Sequence, residues 1–233
     1  MKAGLLLCDE VPAALQQYGG TYLEMFQKLF PELEFRPFHL LKYEFPKDLH
    51  ECEVYMTTGS RYSVYDQVDW IDGLQQFVRL LYQSDKPFVG VCFGHQMIGQ
   101  ALGGEVRKSS KGWCIGLHSF KIDHSKDWMD PHQSEIRLLM SCQDQITTLP
   151  DEAEVLASSE DCPYALIQVG SHTLGIQAHP EHPASFNRAL FESRIDRIGE
   201  DKVEEARDSF SNEIDGQLFA QWVMNFLENC GMV

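Results

Sequence analysis

The first half of the chain alternates short apolar runs with amphipathic stretches. The apolar runs have the length of buried strands, and the amphipathic stretches repeat their apolar residues with helical spacing. We predict strands at residues 3–8, 34–39, 53–58 and 88–91, and helices at 20–29, 67–83 and 93–102. Strands and helices in this order favour a parallel sheet that is covered by helices on both faces.

The pattern changes at residue 104 to short alternating runs. These predict strands, several of them antiparallel, at residues 105–108, 115–122, 135–140, 154–157, 164–169 and 173–178. Helical spacing returns at 184–195, 200–210 and 216–228. Because no linker interrupts this order, we predict a single domain over residues 1–233. Its class is α/β, a three-layer sandwich with a mostly parallel central sheet and a small flanking antiparallel sheet.

Composition and charge narrow the classes of function. The 233 residues are 43% hydrophobic, which suits one soluble domain, and seven cysteines without Cys-x-x-Cys spacing argue against disulfides and zinc. A net charge of −16 argues against a nucleic-acid partner, because phosphate binding needs clustered Lys and Arg. The amino-terminal apolar run is too short for a signal peptide, and no later run reaches membrane-spanning length. We therefore expect a cytoplasmic protein without a membrane partner.

Residues 192–213 are unusually charged, with eight acids and four bases. Such stretches are usually the solvated faces of helices. The alternative interpretation is a mobile helical cover over an active site, since covers of this kind are drawn from weakly packed segments.

An apolar run that ends in Gly90-Val-Cys92-Phe-Gly94 carries the first candidate for chemistry. It predicts a nucleophile on a sharp strand-to-helix turn, where the residues two before and two after the nucleophile must lack bulk. A helix that begins at Phe93 would point its N–H groups at the sulfur, which favours the thiolate. A buried core cysteine is the alternative, since free cysteine is among the most buried residue types.

The histidine after the last predicted strand is a candidate base for that nucleophile. Pro180 favours an extended conformation at His179, so Glu181 faces the same way and can orient the imidazole. Cys92, His179 and Glu181 would then form a Cys-His-Glu triad. A surface histidine is the alternative. We predict no metal at His179 and His182, because the spacing is not His-Glu-x-x-His and no further ligand cluster is evident.

Three motifs stand in one order along the chain: a glycine loop at residues 58–66, Gly-Val-Cys-Phe-Gly-His-Gln at 90–96, and Gly-Ile-Gln-Ala-His-Pro-Glu at 175–181. Together they resemble the triad-type class I glutamine amidotransferases, and most nearly the free-standing proteins similar to the amidotransferase domain of GMP synthase and to plant γ-glutamyl peptidases. The resemblance spans about residues 3–227. It implies a flavodoxin-like fold and no cofactor.

The resemblance also implies a mechanism. The Cys92 thiolate would attack the side-chain amide carbon of glutamine, while the backbone N–H groups of Gly59 or Ser60 and of Phe93 form the oxyanion hole. Protonated His179 would give its proton to the departing ammonia and leave a γ-glutamyl thioester. Water activated by the same histidine would then release glutamate.

Two segments are implied to contact the substrate. Gln96 matches a position that helps to hold glutamine, although a helix-surface amide is the alternative. Ser141, Cys142 and Gln143 belong to a loop that borders the glutamine pocket in relatives. Cys142 and Gln143 stand where the family carries histidine and glycine, and this departure favours an unusual substrate.

The chain contains neither a Walker-type phosphate loop nor a second domain that could activate an ammonia acceptor with ATP. Three functions follow from the resemblance. The first is a glutaminase that supplies ammonia to a separate synthetase subunit. The second is an independent γ-glutamyl peptidase that acts on γ-glutamyl peptides or glutathione conjugates. The third is a non-catalytic binding module, and the intact Cys92, His179 and Glu181 count against it.

Overall fold

The computed structural model describes residues 1–210 and 213–231 and contains the predicted alternation of strands and helices. The first half holds β1 (Lys2–Leu7), α1 (Ala13–Gly19), α2 (Tyr22–Leu29), β2 (Glu34–His39), β3 (Val54–Thr57), α3 (Asp69–Gln83), β4 (Phe88–Val91) and α4 (Phe93–Ala101). The second half holds β5 (Glu105–Lys108), β6 (Cys114–Ile122), β7 (Glu135–Cys142), β8 (Asp144–Thr148), β9 (Ala153–Ser158), β10 (Leu166–Val169), β11 (Thr173–Ile176), α5 (Ala184–Glu192), α6 (Ile195–Ile198), α7 (Glu200–Ser209) and α8 (Gly216–Asn229).

Helix α1 lies outside the predicted helices, because its sequence lacks an apolar stripe. Leu15 is its one buried residue in the described chain, so the hydrophobic pattern carries no helical period there. Helix α2 begins after Thr21, two residues later than predicted. The Thr21 hydroxyl accepts the Glu24 N–H at 3.3 Å, and the Glu24 carboxylate accepts the Thr21 N–H at 2.7 Å. This reciprocal capping box starts α2 as a separate helix.

Strand β8 and the end of α5 also differ from the prediction. Strand β8 buries Gln145 and Ile146 and pairs with β5, so its apolar signal is too short to read as a strand. Helix α5 was predicted to run to residue 195 but ends at Glu192. The Ser193 hydroxyl donates to the Leu190 carbonyl at 2.7 Å, which competes with the helix backbone at this point.

Within the described residues, nine strands form one sheet in the order β2-β1-β3-β4-β11-β10-β9-β6-β7. Strands β2, β1, β3, β4 and β11 pair in parallel, and the four strands after them pair antiparallel. Strands β5 and β8 form a separate antiparallel pair. The predicted α/β class, with a mostly parallel central sheet and a small flanking antiparallel sheet, is confirmed.

Two hydrophobic clusters lie on opposite faces of the sheet and give the molecule three layers. One cluster packs α2, α5 and α8 against the sheet through large side chains such as Phe26, Phe186 and Trp222. The other packs α3 and α4 against the opposite face through Trp70 and Phe93. None of the helices in the described part of the chain combines the length and apolarity needed to cross a membrane.

The charged stretch at residues 192–213 forms α6 and α7, and its residues 211–212 lie outside the described residues. A third hydrophobic cluster, made by Ile115, Phe191, Ile198, Val203 and Ala206, packs these helices onto β6. The acidic residues at the start and middle of α7 point outward and are exposed. The described part of the stretch is therefore amphipathic, with solvated acidic residues on its outer face, and the alternative of a mobile cover over an active site stays untested.

Candidate active site

Three neighbouring parallel strands end at one edge of the sheet and bring distant residues together. Gly59 follows β3, Cys92 follows β4 directly, and His179 follows β11; these strands are adjacent in the sheet. The carboxyl ends of parallel strands are the usual place for a site in an open α/β sheet. The His179 N–H donates to the Leu139 carbonyl at 2.7 Å, so strand β7 closes the site from the other side.

Cys92 occupies a backbone conformation that few residues other than glycine adopt, with φ 51° and ψ −94°. A Cβ atom on Gly90 would lie 2.5 Å from the Gly94 carbonyl, and a Cβ atom on Gly94 would lie 1.6 Å from Thr57 Oγ1. The Cys92 N–H donates to the Ile176 carbonyl at 2.8 Å. The predicted strand-to-helix turn is therefore present, and both flanking glycines are sterically required.

The His179 imidazole forms a buried pair with the Glu181 carboxylate. The two residues are 3% and 4% exposed, and His179 Nδ1 lies 2.8 Å from Glu181 Oε1. Burial lowers the pKa of His179, but the charges of Cys92 and Glu181 and hydrogen bonds to both raise it to about 10. The structure thus brings the three predicted residues together, with His179 between the other two.

The His179 ring is held on both faces. A Cβ atom on Gly59 would lie 2.7 Å from His179 Cε1, so only glycine leaves room on one face. On the other face, the His182 ring stacks with its centroid 4.0 Å away and its plane tilted by 6°. Burial and the positive charges of His179 and Arg194 lower the pKa of His182 well below its usual range, so this ring is neutral.

Among the described residues, one cluster has donor atoms close enough together to be tested as a metal site. It consists of His179, Glu181 and His182, whose donor atoms lie within 4.8 Å of one another. A metal must lie near the ring plane of each histidine ligand, along the nitrogen lone pair. The two rings are stacked and almost parallel, so their lone pairs do not converge on one point. The donor set does not fit a metal, and the expectation of a metal-free site stays a prediction.

The glycine loop after β3 is held by a buried carboxylate. Asp9 accepts the Arg61 N–H at 2.8 Å and pairs with the Arg61 guanidinium at 3.0 Å, while the Ser60 hydroxyl donates to the Cys8 carbonyl at 2.8 Å. Among the described residues, no acceptor binds the backbone N–H groups of Gly59, Ser60 or Phe93. These groups are the predicted oxyanion donors, and the loop leaves them available.

A cavity of about 130 Å³ opens over the Cys92 sulfur. All four residues predicted to contact substrate line it together with Cys92, namely Gln96, Ser141, Cys142 and Gln143. Gln96 is 4% exposed, and its amide nitrogen donates to the Asp144 carbonyl at 2.7 Å and to Gln177 Oε1 at 3.2 Å. Because both amide protons are taken, Gln96 can offer a substrate only its oxygen.

Cys142 adds a second thiol to the wall of this cavity, at the end of β7. It pairs in register with Cys114 of β6 and is 5% exposed. Burial and the charge of Cys92 raise the pKa of the Cys142 thiol well above its usual value. Cys142 therefore stays an uncharged thiol and offers the cavity only a weak S–H donor.

Sequence reasoning missed three residues that hold the site. Gln177 is fully buried, and its amide nitrogen donates to Cys92 Sγ at 3.6 Å. The alternation of an extended segment places Gln177 on the same face as His179, and this signal was available in the sequence. Asp9 carries no such signal, because it reaches the site from an element that is distant in sequence, whereas Asp144 directly follows the predicted substrate segment 141–143.

Comparisons with known proteins find a family and relatives that match this chain. The sequence model of glutamine amidotransferase class-I matches residues 58–195. Gamma-glutamyl peptidase 3 of Arabidopsis thaliana is 30% identical over 204 residues, which cover 83% of this chain and 80% of that protein. The glutamine-hydrolyzing GMP synthase of Porphyromonas gingivalis is 29% identical over 183 residues, which cover 68% of this chain and 35% of that protein.

A solved structure of similar fold is a glutamine amidotransferase from Thermotoga maritima. The two chains superpose with a TM-score of 0.77 over 97% of this chain and 98% of the other, at 20% sequence identity. At this identity the likeness bears on the fold, including the combination of the large sheet with the small antiparallel pair.

Proposed function

The chain belongs to the glutamine amidotransferase class-I family, and from this membership we propose that it hydrolyses a γ-glutamyl amide bond with Cys92 as the nucleophile. The observation that carries the proposal is the buried His179–Glu181 pair beside a cysteine on a strained turn. A core cysteine has no need of a left-handed backbone, and a binding module has no need of a buried ion pair aimed at a thiol.

The first half of the reaction forms a thioester. The Cys92 thiolate attacks the γ-carbonyl carbon, and the N–H groups of Gly59 or Ser60 and of Phe93 hold the oxyanion. His179 carries the proton that the leaving nitrogen requires, because its raised pKa keeps the ring charged at neutral pH. The C–N bond then breaks, the amine or ammonia leaves with that proton, and a γ-glutamyl thioester remains on Cys92.

The second half requires His179 to act as a base. A thioester carries no charge, so the Cys92 charge, which is the first cause that raises the pKa of His179, is absent in the intermediate. The neutral imidazole takes a proton from water as the water attacks the thioester. Glu181 accepts a hydrogen bond from the Nδ1–H group throughout and keeps Nε2 turned toward the reacting atoms. Release of glutamate restores the thiolate and the charged imidazole.

The leaving group separates two candidate substrates. Relatives named gamma-glutamyl peptidase match along most of their length, which supports an independent hydrolase of γ-glutamyl peptides. Cys142 and Gln143 in the cavity wall support the same choice, because they change the border of the glutamine pocket. We place this activity in one domain over residues 1–233.

The second candidate is hydrolysis of free glutamine for a separate synthetase partner. It is supported by the match to GMP synthase, in which the similar region covers 35% of that protein. A synthetase partner would supply the ATP-dependent step, since the sequence carries no Walker-type phosphate loop.

Release of glutamate from a γ-glutamyl dipeptide and from glutamine, with and without Cys92→Ala, tests the proposal. We expect the substitution to lower kcat by at least about 1,000-fold and to abolish a γ-glutamyl adduct seen by mass spectrometry of the denatured enzyme. Cys52→Ala is the matched control, because Cys52 is equally buried (2% exposed) but packs in the core cluster of α3 and α4. Full turnover by Cys92→Ala would refute the nucleophile assignment.

A further inference from the structure

The cavity over Cys92 is lined by four cationic side chains and one carboxylate, Asp144, although the whole chain carries a net charge of −16. The cations are Arg61, Lys108, Arg194 and Arg197. Such a local reversal of sign concentrates anions at a site that the rest of the protein surface would repel. The positive charge around this cavity therefore favours a substrate that carries negative charge.

Three of these cations lack an anionic partner. Arg61 is paired with Asp9 at 3.0 Å, and this pair belongs to the glycine loop. Over residues 1–210 and 213–231, no carboxylate forms an ion pair with Lys108, Arg194 or Arg197. Cations that line one small cavity repel one another, and a bound anion relieves that repulsion.

Arg194 and Arg197 both line the cavity that Cys92 lines. Arg194 is half-buried, whereas Arg197 is exposed. The Arg197 guanidinium lies 5.6 Å from the centroid of the Trp113 ring. Trp113 is a wall shared with a second cavity of about 220 Å³. The cations therefore lie where a group that extends beyond the scissile bond would pass.

The second cavity does not offer the same charge. Its Lys111 is paired with Asp161 at 3.1 Å and with Glu160 at 3.2 Å, and its Lys202 donates to the Trp113 carbonyl at 3.0 Å. In the second cavity Lys111 is therefore neutralised, Lys202 is held by a main-chain carbonyl, and Asp161 and Glu205 add negative charge to the lining.

We propose that Arg194, Arg197 and Lys108 form an anion subsite for the leaving group, so that the preferred substrate is a γ-glutamyl compound whose leaving amine carries a carboxylate. The inference rests on the proposed γ-glutamyl hydrolysis. One guanidinium matches one carboxylate in a bidentate pair, so three unpaired cations exceed what the single α-carboxylate of a glutamyl group requires. Free glutamine, which loses neutral ammonia, leaves this subsite empty.

The test compares γ-glutamylglycine with γ-glutamylglycinamide, which differ by one carboxylate. We expect the native chain to favour the carboxylate by about tenfold or more in kcat/KM, and added salt to reduce that ratio. Arg194→Gln combined with Arg197→Gln should bring the ratio close to one. Lys28→Gln, which removes a cation from the exposed surface of α2, is the charge-matched control and should leave the ratio unchanged.

Binding to Cys92→Ala separates the subsite from the chemistry. We expect calorimetry to give a lower Kd for γ-glutamylglycine than for its amide by about tenfold, and the double arginine substitution to remove the difference. Equal turnover and equal binding of the two compounds would overturn the subsite while leaving the proposed hydrolysis intact. A carboxylate preference that survives the double substitution would also overturn it. Selective binding without turnover would support the subsite and contradict the proposed hydrolysis.

Discussion

Replacing Glu181 with glutamine removes the charge that orients His179 while keeping the shape of the side chain. Glu181 Oε1 lies 2.8 Å from His179 Nδ1, and the pair is almost fully buried. If the amide nitrogen of the new side chain faces Nδ1, the imidazole must carry its proton on Nε2, on the side of Cys92. That tautomer cannot take a proton from water, so hydrolysis of the thioester slows.

The size of the effect follows from the charge that is lost. Unit charges about 4 Å apart interact by about 4 kcal/mol at an effective dielectric constant of 20, which is worth about three pKa units. Glu181 is the second charge, after Cys92, that raises the pKa of His179 to about 10 against the effect of burial. We therefore expect a lower pKa of His179 in Glu181→Gln. In serine enzymes the same change of a triad carboxylate lowers kcat by about 10⁴, and we expect a loss of about 10² to 10⁴ here.

The pH dependence of kcat/KM shows in which direction the pKa of His179 changes. Formation of the thioester needs charged His179, so kcat/KM falls when the pH rises through the pKa of this group. In the native chain that fall is expected near pH 10. In Glu181→Gln it moves to lower pH, because the carboxylate no longer stabilises the imidazolium. Steady-state kinetics of γ-glutamyl dipeptide hydrolysis between pH 6 and about 10.5 measures the shift.

Glu192→Gln is the matched control for this substitution. Glu192 forms a half-exposed ion pair with Arg207 at 2.5 Å and does not line the cavity over Cys92. The control should keep both kcat and the alkaline limb of the profile, and melting temperatures of both variants report on the fold. A Glu181→Gln enzyme with native kcat and an unchanged alkaline limb would refute the role that we assign to the carboxylate.

Two further changes probe the faces of the His179 ring. Gly59→Ala places a Cβ atom 2.7 Å from His179 Cε1, so we expect kcat to fall by about 100-fold with little change in melting temperature. Gly73→Ala in α3 is the control and should keep kcat; an active Gly59→Ala would contradict the close fit. His182→Ala removes a buried stacked ring and should cost about 2–4 kcal/mol in urea unfolding. His182→Phe should regain most of that stability and keep kcat, because the native ring is neutral; a stable but inactive His182→Phe would show that the imidazole itself takes part.

The features that sequence predicted best are those in which local geometry and chemistry coincide. The turn at Cys92 can be predicted because an apolar strand ends at a cysteine between Gly90 and Gly94. Steric crowding permits no other residue at either glycine. The His179–Glu181 pair was legible because an extended segment places both on one face. In each case the residues that must meet are within four positions of one another.

Contacts between elements that are distant in sequence could not be predicted from local sequence patterns. Asp9 holds the loop that contains Gly59 and Arg61, but nothing near Asp9 in sequence indicates this task. Helix α1 and strand β8 were missed because each buries too few apolar residues to create a period. Arg194 and Arg197 belong to a stretch whose sequence predicts an ordinary charged helix face. Only the packing of α6 beside the cavity shows that both residues line it.

The reacting groups could be predicted better than the cavity wall because the two come from different parts of the structure. The parallel half ends in Gly59, Cys92 and His179, which are held by main-chain geometry and leave little freedom for substitution. Besides the loop after β3, the cavity wall comes from the ends of β5 and β7, the start of β8 and residues 194 and 197 at α6, where single side chains set size and charge. Gln96 links the two parts by donating to the Asp144 carbonyl, a main-chain group that does not depend on the side chain there. In the proposed hydrolysis, wall residues would therefore set the leaving group that is accepted while the reacting groups stay in place.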